Sequence, residues 1–195
     1  MIRLTGAALA ALLLAACAGA PVRERAPAPW PERRAALQAD DAFALAGRVA
    51  IRADDTGLNA SLRWRQEGAV SYVTLDGPFG VGGAQVELRG DEFELRTSRG
   101  DHLVGEAARA ELERRLGFPL PLAALRYWVR GVPEPHVGAD EVVDVPHQRL
   151  ASLVQDGWEI RYTEYLAGAA GSLPRRLSAE RGGTRVRLVI DRWTR

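Results

Sequence analysis

The sequence contains no lysine: all 26 basic residues are arginine, set against 25 acidic ones, for a formal net charge of +1. That balance excludes the broad basic face that supplies most nucleic-acid affinity, so no nucleic-acid partner is expected. One cysteine, Cys17, rules out an intramolecular disulfide framework. The three histidines, His102, His136 and His147, show no metal-ligand spacing and read as exposed loop residues. Asp140, Glu141 and Asp144 read as a solvated acidic loop rather than a metal site. No serine elbow, phosphate loop or zinc-protease helix is present. Gly77, Gly80, Gly82 and Gly83 have the composition of a nucleotide loop but lack its lysine, and strands flank them on both sides. Arg99-Gly100-Asp101 reads as a hairpin turn. These absences argue against an enzyme and imply no cofactor and no metal.

What is present begins with an address. Met1 to Ala16 carry one charge, Arg3, ahead of an apolar run through Leu12, Leu13 and Leu14. The run falls short of the roughly 20 residues a bilayer span needs and ends in small residues, so 1–16 reads as a signal peptide. Leu14-Ala15-Ala16-Cys17 resembles a bacterial lipobox, in which the cysteine is lipidated and becomes the mature N-terminus. The plainer alternative is an ordinary signal peptide with a chance cysteine. Several acyl chains on one residue hold far more firmly than one. In such lipoproteins an aspartate after the cysteine favours the inner membrane; Ala18 stands there instead, which points to the outer membrane. Residues 17–29, with Pro21, Pro27 and Pro29, read as a flexible tether. Residues 30–195 then form one domain long enough for a real core.

The stretch Leu75-Asp76-Gly77-Pro78-Phe79-Gly80-Val81-Gly82-Gly83 is a turn by its Gly and Pro content. Yet its tip carries Phe79, whose exposure forgoes about 1.5–3 kcal/mol of burial. Either the protein's own core or an outside surface covers that ring. Around this loop the alternation is clean. Phe43, Leu45, Val49 and Ile51 share one face, with Arg48 and Arg52 on the other. Leu58, Ala60, Leu62 and Trp64 alternate with Asn59, Ser61, Arg63 and Arg65. Val86 and Leu88, then Phe93 and Leu95, continue the pattern. After it come Trp158, Ile160 and Tyr162, then Leu177 and Ala179, then Val186, Leu188 and Ile190, with Trp193 on the opposite face from that trio. Pro31 opens a helix that docks Trp30 and Leu37. Ala108, Leu112 and Leu116 mark a helix that Gly117 ends, and Leu122, Leu125, Trp128 and Val129 mark a shorter one ending at Gly131. The class is mainly β (α+β): an open antiparallel sheet with one apolar face, covered by helices. Such a cover encloses either an apolar cavity or a filled core.

The chain resembles the LolB family of outer-membrane lipoproteins. The resemblance runs through the lipobox, Phe43 to Arg52 with Gly47-Arg48, Trp64-Arg65-Gln66 and Gly77-Pro78-Phe79-Gly80. It continues through Leu116-Gly117 to Leu120-Pro121, Leu125 to Pro133 with Trp128 and Gly131, and Gly157-Trp158. It closes with Tyr162 and Tyr165, Leu173-Pro174, and Ile190 with Trp193. It implies an open half-barrel with a helical lid over a hydrophobic cavity, monomeric, taking the acyl chains of cargo lipoproteins from the soluble periplasmic carrier LolA and inserting the cargo into outer-membrane lipid. Cys17 is then the lipidated residue, and Pro78, Phe79 and Gly80 the membrane-insertion loop, with Phe79 where the family usually has leucine. Acyl-cavity candidates are Leu45, Val49, Ile51, Leu62, Trp64, Val86, Leu88, Leu112, Leu125, Trp128, Trp158, Ile160 and Leu188; Arg48 falls on the wet face. Two other readings stand beside this one: a structural envelope lipoprotein that scaffolds a complex through Phe79, and a lipid-modifying enzyme, for which convergent catalytic residues are missing.

Overall fold

The period-two pattern becomes eleven antiparallel strands in one sheet. The computed structural model describes residues 27–53, 56–77, 82–166 and 173–194, so Cys17 and the loop tip Pro78, Phe79 and Gly80 lie outside the described residues. The strands are β1 (Ala42–Ala53), β2 (Thr56–Glu67), β3 (Val70–Asp76), β4 (Ala84–Arg89), β5 (Glu92–Thr97) and β6 (His102–Val104), followed by β7 (Ala139–Asp144), β8 (Arg149–Gln155), β9 (Trp158–Leu166), β10 (Leu173–Arg181) and β11 (Thr184–Thr194). Their order is β6-β5-β4-β3-β2-β1-β11-β10-β9-β8-β7: two meanders joined where the first and last strands of the chain pair. The sheet stays open, with β6 and β7 at its edges, and forms a half-barrel.

Three helices among the described residues cover its apolar face. In α1 (Trp30–Ala39), Pro31 occupies the first turn and Trp30 and Leu37 are buried. In α2 (Gly105–Leu116), Ala108, Leu112 and Leu116 form the buried stripe. It ends at Gly117, whose φ of 83° is a left-handed conformation that suits glycine. This helix packs on β5 and β6. The short α3 (Leu122–Trp128) follows the Phe118-Pro119-Leu120-Pro121 break and buries Leu122, Ala124, Tyr127 and Trp128.

Three sequence expectations are corrected. His102 is exposed on the edge strand β6 beside Glu94, not in a loop. The acidic stretch Asp140, Glu141 and Asp144 is also an edge strand, β7, and Glu141 is a partner for α1: it accepts from Trp30 Nε1 at 2.8 Å and from Arg34 at 2.6 Å. Both strands are short and carry charge, so their alternation is weak in sequence. Trp193 lies on the inner face after all. The β1–β11 register slips between Ala46 and Gly47, pairing Leu45 with Trp193, and the Trp193 ring packs edge-on to Phe43 at 5.6 Å. A bulge shifts the phase of every side chain beyond it.

Gly47 is what permits that bulge. A Cβ built there would stand 2.1 Å from the Val189 carbonyl oxygen and 3.0 Å from Ile190 Cα, both backbone atoms with no rotamer to yield. The outer face behaves as its sequence suggests, with exposed Arg48 paired to Asp191 at 3.2 Å and Arg63 to Asp76 at 2.8 Å. Such pairs contribute at most about 1 kcal/mol each. Gly47→Ala is expected to lower the urea midpoint by an amount corresponding to about 1–3 kcal/mol or more, since the seam between the two meanders must part. An unchanged midpoint would show that the seam is not under that constraint.

Candidate functional site

Burial on the concave face starts from the alternation itself: one side of β1, β2, β3, β4, β11, β10 and β9 is apolar, and the lid turns its own apolar stripe toward it. Of the sequence candidates, Leu45, Val49, Ile51, Leu62, Trp64, Val86, Leu112, Trp128, Trp158, Ile160 and Leu188 are buried in one continuous apolar cluster. Leu88 and Leu125 are half-buried at its margin. Two aromatic groups mark its ends. Phe43 packs against Trp64 and Trp193, with ring centroids 5.7 and 5.6 Å away, and Trp158 sits 5.8 Å from Phe118 and 6.1 Å from Trp128.

The antiparallel order places the β1–β2, β3–β4, β8–β9 and β10–β11 connections at the same end of the sheet. That end is the rim from which the 77–83 loop departs. Gly117, at the end of α2, lies beside Ala53 and Thr56 at the same rim. Phe118 and Trp158 therefore stand at the mouth of the concave face.

Side-chain hydrogen bonds add to the burial of Trp30, Leu37, Leu122 and Trp128 in holding α1 and α3 over the sheet. Gln155, 1% exposed, accepts at Oε1 from Trp128 Nε1 at 2.8 Å and from the Glu134 N–H at 2.9 Å. Its amide donates to the Glu134 and Val137 carbonyls at 3.0 and 3.1 Å. All four hydrogen-bonding positions of this one side chain are used. Tyr162 donates to the Trp128 carbonyl at 2.9 Å and Tyr165 to that of Leu150 at 2.6 Å. Arg130, also buried, donates to the Asp40 carbonyl and lies over the rings of Phe43 and Tyr127, so it ties α1, α3 and β1 together. Burial pulls its guanidinium below the usual arginine range, partly offset by Asp40 and Tyr127. Gly131 ends this segment at φ 77°, with the Tyr165 hydroxyl and Pro174 3.1 Å from where a Cβ would lie.

These polar anchors escaped the sequence reading. Gln66 and Arg130 enter there only as members of stretches that carry the family resemblance, and Gln155 is not singled out. Gln66 accepts from Trp64 Nε1 at 3.2 Å and from the Ser71 hydroxyl at 2.5 Å, so the buried Trp64 indole is satisfied within its own hairpin. The one available signal was parity: Gln66 falls in phase with Leu62 and Trp64, on the apolar side. Among the described residues no group of three or more His, Cys, Asp or Glu side chains is arranged to hold a metal. What lines the face, among the described residues, is apolar contact surface.

Comparisons with known proteins point the same way. Residues 41–193 match the family model described as "LolB: Outer membrane lipoprotein LolB". A protein of Nitrosococcus oceani named outer-membrane lipoprotein LolB is 34% identical, over 98% of this chain and 96% of its own length. One of the same name from Alkalilimnicola ehrlichii is 36% identical over the same shares. Among solved structures, a LolA superfamily protein from Nitrosomonas europaea superposes with a TM-score of 0.53 at 11% identity, covering 86% of this chain and 94% of that one. A putative outer-membrane lipoprotein-sorting protein domain from Vibrio parahaemolyticus gives 0.53 at 8%, over 85% and 90%. At such identities the likeness is one of fold alone.

Two phenols, the buried Tyr162 and the half-buried Tyr165, give a measurable consequence. Burial raises Tyr162 well above the ordinary phenol range, and raises Tyr165 as well, the latter opposed by Arg149 and Arg33. A phenol raised only in the folded state favours folding below its unfolded pKa of about 10, and that contribution is lost as pH climbs above it. Tyrosinate absorbance is expected to show Tyr162 and Tyr165 ionising above pH 10 together with loss of the fold, and Tyr162→Phe with Tyr165→Phe to remove that late phase. Ionisation of Tyr162 and Tyr165 near pH 10 in a folded protein would contradict this reading.

Proposed function

The chain belongs to the LolB family of outer-membrane lipoproteins, and from that premise we propose that it receives lipoproteins at the periplasmic side of the outer membrane and releases them into its lipid. The observation that carries this reading is the continuous apolar concave face beneath helices held by a handful of polar anchors. A soluble carrier of the LolA kind hands over the cargo, whose acyl chains enter between sheet and lid beside Leu62, Trp64, Ile160 and Leu188. Each CH₂ removed from water contributes about 0.8 kcal/mol, without directional chemistry, so acyl chains are held firmly by fit alone. Because the same force acts in a bilayer, the cargo passes onward down an affinity gradient, and no nucleotide is needed. The protein works as a monomer with no cofactor. Its own anchor is the lipidated Cys17, after removal of residues 1–16, joined to the domain by the tether 17–29.

Phe79 is the element that meets the membrane. The loop leaves the sheet at Gly77, at the rim where Phe118 and Trp158 stand. An apolar tip there reaches lipid while the mouth of the concave face is turned toward it. Replacing that ring by a carboxylate opposes insertion by roughly 2–3 kcal/mol.

The test uses protein lacking residues up to Cys17, a carrier loaded with a triacylated lipoprotein, and liposomes, with cargo followed in all three pools. Wild-type protein is expected to take cargo and deliver it. Phe79→Glu is expected to take it equally well and deliver it at least about tenfold more slowly. Equal delivery by both would remove Phe79 from the membrane step. No uptake by either would overturn acyl binding and favour a structural envelope lipoprotein instead.

A further inference from the structure

The protein has five tryptophans, and four of their indole N–H groups have acceptors. Trp30 donates to Glu141 at 2.8 Å, Trp64 to Gln66 at 3.2 Å, Trp128 to Gln155 at 2.8 Å and Trp193 to the Pro174 carbonyl at 2.9 Å. Trp158 is the exception. It is 3% exposed, its Nε1 is buried, and no acceptor reaches that atom among the described residues. Its cross-strand partner Gln155 has no capacity left, since Oε1 already accepts two N–H groups. A buried donor without an acceptor is costly, and a fold that satisfies four indoles in varied ways has evident means of satisfying a fifth.

The position of this donor gives it a use. Trp158 opens β9 at the rim of the concave face, facing Phe118 on the link between α2 and α3 and Trp128 at the end of α3. Two aromatic rings, Phe118 and Trp128, pack against it. A lipid entering tail-first places its hydrocarbon deep in the interior and leaves its carbonyl oxygens at this level. Those oxygens are strong acceptors, and they too would go unsatisfied if brought among aromatic rings without a donor.

We propose that the Trp158 indole N–H, unpartnered at the mouth of the concave face, is the hydrogen-bond donor for the carbonyl oxygen of an acyl ester on the bound lipid. This rests on the acyl-binding reading above and deepens it. Hydrocarbon fit alone does not fix how far a chain slides in; one donor at the rim sets the depth and separates acyl esters from alkyl chains of the same length. The Nε1 atom is buried with the Phe118 ring 5.8 Å from that of Trp158, so the bond requires the side chains at this rim to make room. Entry of the lipid thereby exchanges an unsatisfied donor for a satisfied one.

The test compares two lipids that differ only in that carbonyl. The full chain, held in nanodiscs of an ether-linked phospholipid so that the bilayer offers no ester, is titrated with a short-chain diester phosphatidylglycerol below its micelle concentration. A parallel titration uses the di-O-alkyl ether with the same chain length. Wild-type protein is expected to bind the diester about three- to tenfold more tightly than the diether, and Trp158→Phe to bind both alike. In 15N-indole spectra of the wild type, the Trp158 N–H proton should move downfield with the diester and not with the diether, which decides the matter even if the variant fails to fold. Equal binding of both lipids by the wild type, or an ester preference that survives in Trp158→Phe, would overturn the assignment. Binding of neither lipid would overturn acyl binding itself, and this assignment with it.

Discussion

Eleven antiparallel strands turn far more apolar surface to one side than three short helices can cover. Laid flat, the sheet would be about 48 Å across, whereas helices of 10, 12 and 7 residues are about 15, 18 and 10 Å long. Curvature closes part of the gap, and the sheet becomes a half-barrel whose concave side is the interior. The seam between its two meanders, where β1 meets β11, accommodates this with a bulge at Asp191, opposite Ala46 and Gly47. The lid then covers what remains with α2 packed on the β5–β6 edge and α3 over β8 and β9.

The sheet and its lid are held by different interactions. Strand pairing runs continuously from one edge of the sheet to the other, and opening it breaks many backbone bonds at once. By contrast α1 and α3 are attached through Gln155, Tyr162, Arg130 and Glu141, each interaction contributing on the order of 1 kcal/mol net. These bonds fix where the helices sit, and lifting them would also expose Trp30, Leu37, Leu122 and Trp128, which are buried in the same core.

Much of this was legible in the sequence because a strand with one wet face writes its burial in parity. Phe43 to Ile51, Leu58 to Trp64 and Trp158 to Tyr162 needed no structure to be assigned to their faces, and Gly117 after Leu116 announced a helix end. Three kinds of feature were not legible. Edge strands as short as β6 and β7 give parity too few residues to work on, although Leu103, Ala139 and Val143 pack against the core, so their residues read as loops. A bulge is invisible to parity, and it moved Trp193 to the other side. Buried polar side chains such as Gln155 and Arg130 look like surface residues until their partners, far away in the chain, are known. The resemblance to a family had named several of these positions; the structure explains them, with Gly131 kept small by Tyr165 and Pro174 and the Tyr162 hydroxyl bound to the Trp128 carbonyl.

The most direct measurement is where the cargo's acyl chains lie. A lipoprotein whose fatty acids carry a terminal diazirine would be loaded onto the protein from its carrier, photolysed, and the adducts mapped by mass spectrometry. Acyl binding on the concave face predicts adducts on β1, β2, β9 and β11 at inward positions such as Ile51, Leu62, Ile160 and Leu188. Adducts confined to the convex side, around Arg48, Arg63 and Arg187, or spread evenly over both, would contradict it.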